Sequence, residues 1–321
     1  MHYRRLGNSG LKVSEVSLGA WITFGAQIDE DTAADLIHTA YDNGINFFDN
    51  ADVYADGQAE VVMGKAIRDL PREGILISSK VFWPTMPGPN GRGLSRTHIV
   101  ESIHASLRRL NSEYVDIYFC HRFDPDTPIE EVVYTMNLLI QQGKILYWGT
   151  SEWRPYQIMT AYGIARQYGL IPPLVEQPQY NMFNRRRVEF ELQPVCAEIG
   201  LGLTTWSPLH FGLLTGKYNS GIPSGSRASL DEMAWIRDYL TPERIEAVRQ
   251  LGEVAADLGI TTAQLAIAWL LRRKEVSSVI TGATKPGHIL ENVEAGEVVG
   301  KLSNEVLEQI EAMLDNAPED G

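Results

Sequence analysis

The feature that most limits what this chain can fold into is a repeated alternation of about eight short, β-rich apolar runs with longer stretches of helical spacing. The runs cover residues 16–20, 45–49, 75–80, 115–121, 145–151, 174–180, 201–207 and 277–282. Between them, apolar residues recur with the period of an amphipathic helix over 31–43, 97–110, 129–142, 157–168 and 185–199. Strand and helix alternating in this way form parallel βα units, and eight such units close a (β/α)8 TIM barrel within an α/β fold.

Three segments stand outside the alternation. Tyr3-Arg4-Arg5-Leu6 and Leu11-Lys12-Val13 flank Gly7-Asn8-Ser9-Gly10, which predicts a short N-terminal β-hairpin. Residues 84–93 are rich in Pro and Gly, and residues 208–239 form a long loop after strand 7; long connections in barrels tend to carry function. A last helix is expected over 303–314. No linker divides the chain, so a single barrel domain over 1–321 is expected.

Composition removes several classes of function. With 44% hydrophobic and 21% charged residues the chain reads as an ordinary globular protein. A net charge of -13 opposes any nucleic-acid partner, whose recognition needs a basic surface. The amino terminus lacks the apolar core of a signal peptide and no apolar run is long enough to span a bilayer, so a cytoplasmic protein without membrane insertion is expected. Cys120 and Cys196 stand far apart, which predicts reduced thiols. The seven histidines form no H-x-H or H-E-x-x-H pair, so no metal is expected. A doubly wound dinucleotide fold is disfavoured too. No G-x-G-x-x-G follows the first strand, and Gly88-Pro89-Asn90-Gly91-Arg92-Gly93 has the wrong spacing and context.

Catalysis in a (β/α)8 barrel belongs at the carboxyl ends of the strands. Four residues stand there: Asp49 closing the second run, Tyr54 in the loop just beyond, Lys80 closing the third and His121 closing the fourth. Each alone has a bland reading as a solvated strand end, a wall residue or a structural histidine. Together they form a proton-transfer set. Tyrosine ionises near pH ~10, so nearby positive charge is needed to make it a better acid. Lys80 is the expected source of that charge, Asp49 its partner against the cost of isolated burial, and His121 a group that orients a carbonyl oxygen.

The loops after strands 7 and 8 are where barrels commonly hold phosphate. Here they contain Ser207-Pro208-Leu209, then Lys217 and Arg227, and Gly282-Ala283-Thr284-Lys285 followed by Pro286 at a helix start. Trp206 closes the seventh run, where its ring can stack on a flat cofactor; a core indole is the competing reading. Ser151 and Gln177 have the donors and acceptors to grip a carboxamide.

Phe47-Phe48-Asp49-Asn50-Ala51-Asp52-Val53-Tyr54, followed by Glu60-Val61-Val62-Met63-Gly64, is similar to the signature of the aldo-keto reductases. Within that family the chain resembles most the voltage-gated potassium channel β-subunit branch and its bacterial relatives, through Trp21-Ile22-Thr23-Phe24-Gly25, Arg92-Gly93-Leu94-Ser95-Arg96, Tyr147-Trp148-Gly149-Thr150-Ser151 and Thr205-Trp206-Ser207-Pro208-Leu209. The resemblance spans nearly the whole chain. It implies an NADPH-dependent oxidoreductase that reduces aldehydes or ketones, with an Asp-Tyr-Lys-His tetrad at Asp49, Tyr54, Lys80 and His121. The channel subunits carry Asn where His121 stands, so the tetrad here has the reductase form.

The same resemblance implies cofactor contacts at Trp21, Gln27, Asp49, Ser151, Gln177, Trp206, Ser207, Leu209, Lys217, Arg227, Gly282, Thr284, His288, Glu291 and Asn292. It departs from the family at His288, where many relatives have Arg, and at Glu152, where they have Asn or Arg; NADH therefore stands as the alternative to NADPH. The substrate pocket is expected among Trp21, Tyr54, Phe82, Trp83 and His121, a lining that suits apolar or aromatic aldehydes. Two other readings compete with the reductase: a redox-sensing regulatory subunit, and a Schiff-base aldolase using Lys80. A homo-oligomer accords with the channel-type relatives.

Overall fold

The computed structural model describes residues 1–318; residues 319–321, the end of the expected 1–321 unit, lie outside the described residues. The chain opens with a hairpin of β1 (Tyr3–Arg5) and β2 (Lys12–Ser14), antiparallel with Arg4 opposite Val13. Eight parallel strands follow: β3 (Val16–Gly19), β4 (Phe47–Asp49), β5 (Leu76–Val81), β6 (Val115–Cys120), β7 (Ile145–Thr150), β8 (Val175–Glu176), β9 (Gly202–Thr205) and β10 (Val276–Thr281). They pair in sequence order, and β10 returns to β3 to close the barrel.

Outside the barrel run α1 (Glu30–Asp42), α2 (Gln58–Ala66), α3 (Arg96–Leu110), α4 (Ile129–Gln141), α5 (Pro155–Tyr168), α6 (Gln193–Ile199), α7 (Pro242–Asp257), α8 (Thr262–Leu271), α9 (Pro286–Val298) and α10 (Asn304–Leu314). Their starts are written locally. Asp29 accepts from Thr32 N, Ser95 from His98 N and Thr261 from Gln264 N, and Pro155, Pro242 and Pro286 occupy first-turn positions where no N–H is missed.

Burial explains why the runs are continuous rather than alternating: every residue of β6 and of β10 is buried, between the barrel interior and the helix layer. The interior is filled by Phe47, Ile117, Phe119, Val175 and Ile280, and the hairpin adds Leu6 and Val13 to the same cluster. The hairpin thus plugs the end opposite the strand carboxyl ends, with Asn8 N bonded to Gly200 O at 2.7 Å. Gly7 there has φ 52, and a Cβ would stand 2.6 Å from Gly200 O.

Three elements differ from expectation, each for a backbone reason. The second run starts later, at Phe47, because Ile45 N still bonds Ala40 O of α1 and Asn46 is used by Ser14 of the hairpin. The sixth strand pairs only over Val175–Glu176, because Pro178 has no N–H to give; a single bridge between Gln179 and Trp206 resumes the contact. The helix expected over 185–199 is a π-helical turn, Arg187–Leu192, leading into α6, since Pro194 cannot donate within a regular α-helix. Among the described residues no single helix is long and apolar enough to cross a membrane, and the one bent pair of that length includes α8, which is buried from Ala263 to Leu271.

Candidate active site

The carboxyl ends of β4, β5 and β6 meet in one polar cluster. Lys80 of β5 donates from Nζ to Asp49 Oδ2 at 2.7 Å, to Asn50 O at 2.7 Å and to Tyr54 Oη at 3.1 Å. Lys80 is fully buried and Asp49 is 3% exposed, so this is a desolvated ion pair, tolerable only when its remaining valences are filled. They are filled: Asp49 Oδ1 accepts from Ser78 Oγ at 2.7 Å and Gln177 Nε2 at 2.9 Å. Burial pulls the Lys80 ammonium down, but Asp49 and Tyr54 outweigh it and hold the group above the ordinary lysine range. It is charged at neutral pH.

Tyr54 follows in a tight turn in which Ala55 and Asp56 take left-handed φ values of 49 and 53. Burial pushes its hydroxyl above the ordinary phenol range; Lys80 opposes this, and Asp49 adds to it. The net lowering expected from Lys80 is therefore not reached, because desolvation of the phenolate outweighs one nearby cation. The hydrogen bond from Lys80 has a second effect. Tyr54 Oη is an acceptor in it, which leaves its own proton free to donate elsewhere.

His121 follows β6, with its ring 5.9 Å from that of Tyr54 and 6.3 Å from that of Trp83. Burial, then Lys80 and Arg122, hold its imidazole well below the ordinary range, so it is neutral. Trp83 stands against His121, whereas Phe82 is 7% exposed and braces Trp83 from behind at 5.0 Å. Trp21, after β3, lies near-perpendicular to Trp206 at 5.8 Å.

Residues after β7, β8 and β9 extend the cluster. Ser151 Oγ donates to Gln177 O at 2.9 Å, so Ser151 is bound to the residue that donates to Asp49. Trp206 Nε1 donates to Glu152 Oε1 at 3.0 Å, and the same oxygen accepts Gln179 N at 2.7 Å. Glu152 and Ser207 have φ values of 57 and 54, strained for residues with a Cβ; these contacts hold Glu152, and Asn181 Nδ2 donates to Ser207 O at 3.0 Å.

The loops after β9 and β10 bring cations together. A Cβ on Gly212 would lie 2.5 Å from Lys217 Nζ, and one on Gly282 would lie 2.9 Å from Arg227 Nη2. Burial and the neighbouring Arg227 push the Lys217 ammonium down. Burial, Lys285, Lys217 and Arg227 together depress His288 against the pull of Glu291. Thr284 N donates to His288 Nδ1 at 3.4 Å, and Asn292 of α9 is 3% exposed beside Ile289. Among the described residues, Lys217, Arg227 and Lys285 make no ion pair. Gln27 Oε1 and Ser207 Oγ are buried without a hydrogen-bond partner. Uncompensated cations beside glycines, together with buried polar atoms left unpaired in the loops after β3 and β9, fit a phosphate-bearing dinucleotide. Leu209 begins the turn that leads to Lys217.

Sequence reasoning notes Glu152 only as a departure from the family and misses that it holds the Trp206 indole; it assigns no site role to Phe211, whose ring is 6.3 Å from Trp21, or to Arg122, whose charge acts on both Tyr54 and His121. Arg122 has a signal: it directly follows His121 at a strand end. Phe211 has none, being brought in by the loop over 208–239. Among the described residues no group of three or more His, Cys, Asp or Glu is placed to hold a metal ion.

Comparison with known proteins matches this architecture. The aldo/keto reductase family model covers residues 15–315. A probable voltage-gated potassium channel subunit beta of Arabidopsis thaliana is 51% identical over 322 residues, covering 99% of this chain and 98% of its own. One of the same description from Oryza sativa subsp. japonica is 49% identical over 322 residues, with the same coverage of 99% and 98%. The chain belongs to the aldo/keto reductase family and is an NAD(P)H-dependent oxidoreductase.

Proposed function

We propose that this protein reduces aldehydes or ketones with NADPH, Tyr54 being the proton donor and the chain over 1–321 working as one barrel unit. One observation carries the reading: Lys80, charged and bound to Asp49, donates to Tyr54 Oη at 3.1 Å. A nicotinamide cofactor, when bound, supplies the hydride. The chain's residues supply the rest. As negative charge develops on a carbonyl oxygen, Tyr54 gives up its proton, and the Lys80 hydrogen bond stabilises the phenolate left behind. Asp49 keeps Lys80 charged through that change. The neutral His121 can hydrogen-bond the same oxygen, and Trp21 and Trp83 give the carbonyl compound an apolar wall.

Lys217, Arg227, Gly282, Thr284, Glu291 and Asn292 would hold the phosphate and adenosine end, with Ser151, Gln177, Trp206 and Asp49 at the nicotinamide end. The cations Lys217, Arg227 and Lys285 around a neutral His288 support NADPH over NADH. Tyr54→Phe is expected to bind NADPH as tightly as the wild type while losing at least ~100-fold in turnover of 4-nitrobenzaldehyde, the usual range of a general acid. Turnover retained by that variant refutes the assignment.

The names of the two plant relatives support a second reading, in which the protein also serves as a channel-associated subunit. Affinity capture from native membranes tests it; a stable channel partner supports it, and a free protein with brisk turnover refutes it.

A further inference from the structure

Arg122 stands at the mouth of the site with no charge to balance it. Its Nη1 donates to His121 O at 2.5 Å and to Ser151 Oγ at 3.4 Å, and its guanidinium carbon is 5.8 Å from the Trp83 ring centroid. It is half-buried, makes no ion pair with any described residue, and leaves Nε and Nη2 without an acceptor among the described residues. Two carboxylates on the neighbouring strand-end loops, Glu152 and Asp124, are engaged elsewhere. Glu152 accepts from Trp206 and Gln179, and Asp124 from Leu94 N, Asp126 N and Thr127 Oγ1. In a chain of net charge -13, a cation left unpaired beside Tyr54, His121 and Trp83 is conspicuous.

The phosphate-suited cations do not account for it. They lie on the loops after β9 and β10, whereas Arg122 follows β6, four strands from β10 around the barrel and thus across its mouth. We propose that Arg122 anchors an anionic group on the substrate, so that the substrates are carbonyl compounds bearing a carboxylate. The uncommitted edge of the guanidinium offers parallel N–H donors, which match a carboxylate in two-pronged fashion. A run of contacts links the anchor to Tyr54, Arg122 with the Trp83 ring, Trp83 with His121 and His121 with Tyr54, so that one molecule can present its carboxylate to Arg122 and its carbonyl to Tyr54. This inference rests on the reductase reading for its chemistry but not for the anchor itself.

The test compares kcat/KM for 4-carboxybenzaldehyde and 4-nitrobenzaldehyde, with NADPH, in the wild type, Arg122→Met and Arg122→Lys. The ratio of the charged to the neutral substrate is expected to fall roughly ten- to a hundredfold in Arg122→Met, carried mainly by KM, and to fall less in Arg122→Lys, which keeps the charge but not the fork. Using the ratio cancels any effect of Arg122 on Tyr54 that both substrates share. An unchanged ratio overturns the proposal. In parallel, calorimetry measures benzoate binding to the NADP+-loaded protein, where Arg122→Met is expected to weaken binding at least roughly tenfold. If neither aldehyde turns over yet benzoate binding depends on Arg122, the reductase reading fails and the anchor stands. If both turn over and neither ratio nor benzoate affinity moves, the anchor fails alone. Thermal unfolding checks that Arg122→Met is folded; Arg122→Lys provides the same comparison if it is not.

Discussion

Replacing Glu176 by glutamine should stabilise this protein at neutral pH, by an amount that grows with pH. Glu176 lies in β8 and is fully buried; Thr150 Oγ1 donates to one of its oxygens and Trp153 N to the other at 3.1 Å. Burial pushes its carboxyl up to about 8 from an ordinary 4.5, with Glu152 adding to the shift and Thr150, Arg187 and Trp153 only partly offsetting it. The folded state therefore holds a proton that the unfolded chain releases, and stability falls as pH rises from 4.5 through about 8. Integrated to pH 7, the linkage costs about 3 kcal/mol.

Glutamine has the same shape, keeps an oxygen for Trp153 N and offers an N–H to Thr150 Oγ1, so it removes the proton cost without opening a cavity. Urea unfolding followed by circular dichroism, run on both proteins between pH 4.5 and about 8, isolates this contribution because other titrating groups cancel in the difference. The advantage of Glu176→Gln should be near zero at the acidic end and reach about 2–3 kcal/mol at pH 7. Parallel curves, or a variant less stable at pH 7, would refute the reasoning. The residue also bears on function, since Thr150 and Glu176 immediately precede Ser151 and Gln177.

Two further substitutions probe the charged groups. Lys80→Met leaves the Asp49 carboxylate buried without its cation and should cost about 3–5 kcal/mol in thermal or urea unfolding, with much of the loss recovered when Asp49→Asn is added. Full stability in Lys80→Met alone would show that the pair is not desolvated as the structure has it. Arg227→Met should weaken NADPH binding roughly ten- to a hundredfold and flatten its salt dependence, read from quenching of tryptophan fluorescence; unaltered affinity removes Arg227 from the phosphate cluster.

Much of this fold is legible in the order of residues along the chain. Barrel closure follows from local periodicity, because strands buried on both faces need continuous apolar runs and their crossovers need amphipathic helices. Element ends are misplaced by hydrophobicity where proline intervenes, at Pro178 and Pro194, since a missing N–H acts on a ladder or helix that apolar spacing does not reveal. The four polar residues at the strand ends can be named from position, because a parallel barrel brings all its strand carboxyl ends to one face.

The sequence by itself thus determined the barrel and that Asp49, Tyr54, Lys80 and His121 stand at one strand-end face as a candidate site, since these depend on order along the chain. Only the tertiary structure decided their electrical state. Whether Lys80 lowers or fails to lower Tyr54, whether His121 is neutral and whether Arg122 has a partner are sums of desolvation and charge over groups remote in sequence. Such sums depend on distance and burial in three dimensions, which no spacing along the chain encodes.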